Sequence, residues 1–108
     1  MNPQKMKLSS LRKLAVLIMK KTPTPFGTKI AEQIRSIEED LRRERIRYNF
    51  FQGENENEDL LYIRIEMCKL TLKLYRIYRR LDRYYDKKNS ILKKFEKIIL
   101  SISKALSE

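Results

Sequence analysis

The chain has 108 residues, with 25 Lys or Arg against 14 Asp or Glu, no His, one Cys and no Trp. That length fits one small domain, and a net charge of +11 leaves a self-repelling surface that calls for a polyanion or an acidic partner. The missing His removes the usual general base, the Ser-His and Cys-His nucleophile pairs and the commonest zinc ligand. Cys68 alone forms no internal disulfide, and no uncharged apolar run approaches the roughly 20 residues of a membrane helix. The expectation is an intracellular, non-enzymatic chain with no metal, cofactor, membrane or small-molecule substrate.

Met1 to Lys7 is basic and Leu14 to Met19 apolar, superficially a short leader. Lys20 and Lys21 follow with no small-residue cleavage pattern, so the segment reads as a packed amphipathic helix. Ser9 or Ser10 is a candidate cap for this first helix, predicted over about 10–21, with Leu11, Leu14, Ala15, Leu17 and Ile18 on its buried face. Thr22-Pro23-Thr24-Pro25 ends it, because proline lacks the backbone donor and disfavours helix at the residue before it.

The second helix is predicted over about 27–49, with Ile30, Ile34, Ile37, Leu41 and Tyr48 on one stripe. Glu38 with Arg42 and Glu39 with Arg43 are i,i+4 pairs in the favourable order, and they read as a salt-bridged solvated face. Gln52 to Asp59 holds Gly53, two Asn and four acids, an exposed loop in this reading. Asn57, Glu58 and Asp59 can cap the following helix and complement its dipole. A calcium loop is disfavoured, because the glycine precedes the acids and no terminal glutamate closes an alternating ligand pattern.

The third helix, about 58–86, carries the strongest pattern. Leu60, Ile63, Met67, Leu70, Leu74, Ile77, Leu81 and Tyr84 alternate by three and four residues, a continuous seam for core packing or assembly. Leu61, Ile65, Cys68, Leu72 and Tyr75 form a second set that widens the apolar face, so the helix is expected to touch more than one neighbour at the centre of a bundle or oligomer. Tyr75, Tyr84 and Cys68 accordingly read as core residues. Asn89 or Ser90 can cap a last helix, about 90–106, with Ile91, Phe95, Ile98, Ile102 and Ala105 inward. The predicted fold is all-α, a small three- to four-helix antiparallel bundle with one long central helix, a single domain over 1–108.

Lys69, Lys73, Arg76, Arg80, Arg83 and Lys87 repeat at the spacing of the apolar seam but roughly 200° away from it. The row covers about 27 Å, enough to follow several phosphates. Between Leu60 and Lys94 only Glu66, Asp82 and Asp86 oppose 11 cations. Lys93, Lys94 and Lys97 could extend the row past the turn, and Tyr78, Tyr84 and Tyr85 could add stacking. The expected partner is a DNA or RNA backbone or an acidic protein, held without sequence-specific readout. Six phosphate contacts would give a log-log salt slope of about −5.

Pro25-Phe26 leading into the helix Ile30 to Arg45, then a polar acidic break, then the long helix Leu60 to Tyr84 ending in Tyr78-Arg79-Arg80-Leu81-Asp82-Arg83, resembles the helical A domain of the GINS replication complex. The resemblance covers about residues 10–85. It lacks a counterpart of that family's strand-rich B domain and the usual Arg-Lys-Ile order. It implies a non-catalytic subunit that joins a DNA replication assembly through helix-helix contacts. Two functions remain open at this point: a basic helical scaffold, a homo- or hetero-oligomer, that binds nucleic acid or acidic partners through the cation row, and a purely protein-binding module that never touches nucleic acid.

Overall fold

The prolines after Thr22 stop the first helix and Phe26 starts the second, so the chain reverses within four residues. Helix α1 is Leu8–Lys21, α2 Phe26–Gln52, α3 Asn57–Tyr84 and α4 Ser90–Ser107, preceded by a single 3-10 turn at Pro3–Lys5. This computed structural model describes residues 1–53, 57–86 and 89–108. It is the expected all-α bundle, and no strand occurs among the described residues.

The helix ends differ from the predicted ones for local reasons. α1 starts at Leu8 with Lys7 in the cap position and no side-chain cap, so neither Ser9 nor Ser10 serves as its cap. Leu8 is drawn into the first turn because it is buried in the core. α2 runs on to Gln52, and Glu58 and Asp59 lie inside the first turn of α3, where they face the positive end of its dipole. The predicted loop therefore shrinks from both sides. Its Glu54 and Glu56, and the proposed capping side chain of Asn57, lie outside the described residues. Asn89 caps α4 as expected, its side chain accepting from the Ile91 amide at 2.8 Å.

Each helix packs on the next, and α4 closes the ring against α1, while the backbones of α1 and α3 do not meet across the diagonal among the described residues. Neighbours run antiparallel: the Arg80 guanidinium donates to Gln33 Oε1 at 3.2 Å, near the end of α3 and the start of α2. The inward stripes of all four helices merge into one core, with Leu11, Ile18, Ile34, Leu41, Met67, Leu74, Phe95 and Ile102 fully buried. Burial of each such side chain is worth about 1.5–3 kcal/mol. α3 is the longest helix, yet it occupies a corner of this square and leaves its outer flank open. At ~1.5 Å per residue, α2 and α3 reach about 40 Å and α1 only about 21 Å, within overall dimensions of 48 × 22 × 18 Å.

The amino-terminal segment straps one end of the bundle. Pro3 and Met6 are buried, the Asn2 amide donates to Ala105 O at 2.7 Å, and Tyr48 Oη donates to Met1 O at 3.4 Å. At the opposite end Thr22 and Tyr85 share a hydroxyl-hydroxyl hydrogen bond. There the first turn of α2 passes against Thr22. A Cβ on Gly27 would lie 2.5 Å from the Thr22 carbonyl oxygen and 2.8 Å from its Cβ, so the close approach requires glycine.

One carboxylate expected on a solvated face is instead buried. Glu38 is 1% exposed and bonds to Arg42 one turn on and to Arg12 of α1 at 3.5 Å. Arg43 pairs with Asp40 at 3.3 Å rather than with Glu39. Glu38 faces inward because it sits one residue from Ile37 and four from Ile34 on the α1 side of α2. Glu38→Ala is expected to lower stability by about 2 kcal/mol, while Arg12→Ala, at a half-exposed site, costs under ~1 kcal/mol. Gly27→Ala should cost about 1–3 kcal/mol through the clash with Thr22. Urea unfolding followed by circular dichroism measures all three.

Candidate functional site

The rotation of α3 about its axis follows from six residues. Ile63, Met67, Leu70, Leu74, Ile77 and Leu81 are all buried against α2 and α4, so the predicted seam is consumed by the bundle's own core. Its ends differ: Leu60 is only partly buried and Tyr84 is 48% exposed, its ring tilted 30° against that of Phe26 with centroids 4.9 Å apart. With that seam inward, at ~100° per residue every other side chain of α3 has its direction set.

Lys69, Lys73, Arg76, Arg80 and Arg83 come out exposed along the α2 side of the outer face. Lys87, and Lys88 beside it, lie outside the described residues. Lys69 reaches Glu66 at 3.5 Å, and Arg80 meets the neutral Gln33 amide. Lys73, Arg76 and Arg83 have no carboxylate within 4.0 Å among the described residues. Lys73, Arg76 and Arg80 rim a shallow groove of about 320 Å³ over Ile77, closed on the far side by Gln33, Ser36 and Asp40 of α2. Arg79, which carried no assigned role, is exposed on the same outer face.

The second apolar set does not enter the core. Leu61 is 58%, Ile65 44%, Leu72 57% and Tyr75 48% exposed, and Cys68 between them is exposed too. The expectation that Tyr75, Tyr84 and Cys68 are core residues is thus corrected. Two neighbours at a corner cover only the inward half of α3, and this stripe lies on the outer half, with Cys68 and Leu72 bordering the groove against α4. Tyr75 instead stacks on Tyr78 at 6.2 Å, and Tyr78 packs edge-on against Phe95 at 5.8 Å. Burial, with a contribution from the Glu96 carboxylate, pushes the Tyr78 phenol above its ordinary pKa.

Lys94 and Lys97 do not prolong the α3 row. They face α1 and, with Lys7 and Lys13, surround a groove of about 500 Å³ floored by Leu14 and Leu17, with no carboxylate in its lining. The lysine spacing on each helix was visible in the sequence; that α1 and α4 bring them together was not. Among the described residues no group of three or more His, Cys, Asp or Glu is placed to hold a metal ion, and no helix is long and apolar enough to cross a membrane.

No protein-family model matches the chain, and neither does any curated protein or solved structure. The two faces of α3 make distinct energetic demands that can be measured directly. Leu72→Ser should change stability by less than ~0.5 kcal/mol because the side chain is already in water. Leu74→Ala, two residues on and fully buried, should cost about 2–5 kcal/mol. Paired thermal melts of the two variants check this.

Proposed function

We propose that the protein is a non-enzymatic helical docking module that holds an anionic macromolecule, through its phosphates or carboxylates, against the outer face of α3. The observation that carries this reading is the run of exposed cations from Lys69 to Arg83, about 21 Å long at ~1.5 Å per residue, in which Lys73, Arg76 and Arg83 lack a carboxylate partner among the described residues. Like charges held in line on a rigid helix repel one another, and an anion laid along them removes that cost. A phosphate backbone and an acidic protein both meet the charge requirement. The resemblance to the GINS A domain offers one setting, a subunit of a replication assembly joined by helix-helix contacts.

Fluorescence anisotropy with a labelled duplex oligonucleotide and with labelled polyglutamate tests the proposal. The triple variant Arg76→Glu, Arg80→Glu, Arg83→Glu should lose at least ~100-fold in affinity, since a run of favourable ion contacts becomes repulsive. Lys94→Glu with Lys97→Glu, on the opposite groove, should leave binding within about threefold. For the oligonucleotide, log affinity should fall against log salt by about 0.9 per phosphate contacted. Failure of both polyanions to bind at low salt overturns the proposal.

A further inference from the structure

The exposed stripe on α3 is a heptad seam without an occupant in the monomer. Leu61, Ile65, Cys68, Leu72 and Tyr75 are separated by four, three, four and three residues, and together they span about 21 Å. An apolar patch this continuous marks an interaction surface rather than scattered exposed side chains. Beside it, the junction with α4 forms a groove of about 350 Å³ in which Cys68, Thr71 and Leu72 face Ser103, Leu106 and Ser107. Arg64 lines the same groove, among the small side chains of Cys68, Thr71, Ser103 and Ser107. Leu100 of α4 is also exposed, at 61%.

Charge decides which helix fits. One residue beyond the stripe stand Lys69 and Arg76, and one residue before it stands Arg64, all exposed. These are the flanking positions that select a partner in helix pairing. A second copy of the chain is a poor occupant. In parallel pairing Arg64 would meet the Lys69 of the copy, and in antiparallel pairing about Cys68 the two Lys69 side chains would meet, between chains that each carry +11. A nucleic acid would satisfy the cations but leave Leu61, Ile65 and Leu72 in water. A membrane surface takes a wide apolar face, whereas this is a narrow seam with Arg64 and Arg76 at its edges.

We infer that α3 receives an acidic amphipathic helix from a partner protein, with apolar side chains at its own heptad positions and Asp or Glu flanking them opposite Arg64, Lys69 and Arg76. This rests on the reading that the α3 cations hold an anionic partner and names that partner's chemistry. The complex would be a helix-in-groove interface in which the stripe supplies affinity and the flanking charges set orientation and association rate.

The test uses a peptide of about 21 residues with Leu at the a and d heptad positions and Glu at e and g, so that it repels itself, and a scrambled peptide of identical composition. The ordered peptide should bind the full chain at least ~10-fold more tightly than the scrambled one. The variant Ile65→Ser with Leu72→Ser, whose altered side chains are exposed and whose folding is checked by thermal melt, should erase that preference while leaving oligonucleotide binding unchanged. Equal binding of the two peptides overturns helix docking and leaves anion binding standing; absence of binding to any polyanion overturns both. Adsorption to phosphatidylglycerol vesicles with no peptide preference, or a concentration-dependent dimer abolished by the double serine variant, also overturns it, in favour of a membrane or a second copy.

Discussion

Everything on the surface of this protein depends on how α3 is locked about its axis. Six apolar side chains between Ile63 and Leu81 are buried between α2 and α4, and each would cost about 1.5–3 kcal/mol to return to water. Rotating the helix by one residue would expose several of them together, so only one orientation survives. At ~100° per residue that orientation also dictates the outward directions: apolar along one line, cationic along the next. The arrangement of the outer face is therefore a by-product of core packing, held rigid by it.

The corner position of α3 determines what remains uncovered. In a ring of four helices each element has two neighbours, and two neighbours cannot cover a helix that is apolar along its seam and again along a stripe on the far side. α1 is the contrasting case. With 14 residues and one buried face, it packs that face against α2 and α4, leaves only Val16 and Met19 of its large apolar side chains exposed, and is further tied by the Arg12 to Glu38 ion pair. The buried carboxylate of Glu38 is held by Arg12 of α1 and Arg42 of its own helix, so the first hairpin is joined by charge as well as by apolar contact. The hairpin of α2 and α3 is longer and more exposed, with Ile46 and Phe50 open near the end of α2.

Among the described residues two surfaces gather several cations each. One runs beside the exposed apolar stripe of α3; the other surrounds the groove between α1 and α4, where Lys7, Lys13, Lys94 and Lys97 converge. Among the described residues most of the ion pairs lie elsewhere, on α2 and at the chain ends, and the contact from Lys69 to Glu66 is the one that falls on α3. Carboxylates concentrated on α2 neutralise their own neighbours at three- and four-residue spacing. The α3 cations have fewer acids than cations on their own helix to do the same, and this leaves the outer face with an excess of positive charge.

Periodicity sufficed to place four helices, their reversal at the two prolines and the seam from Ile63 to Leu81, because a 3.6-residue repeat maps directly onto one face of a helix. The direction of the cation row followed from that seam by rotation alone. Three matters were decided only in three dimensions. Leu61, Ile65, Cys68, Leu72 and Tyr75 carry a heptad pattern no different in kind from a core stripe, and only the absence of a third neighbour at that corner put them in water. Glu38 has the spacing of an ordinary surface ion pair, and only the approach of α1 buried it. Lys94 and Lys97 gained Lys7 and Lys13 as neighbours through the closure of α4 on α1. Local pattern records which side of a helix is apolar, whereas burial depends on how many helices surround it, and that number belongs to the assembled bundle.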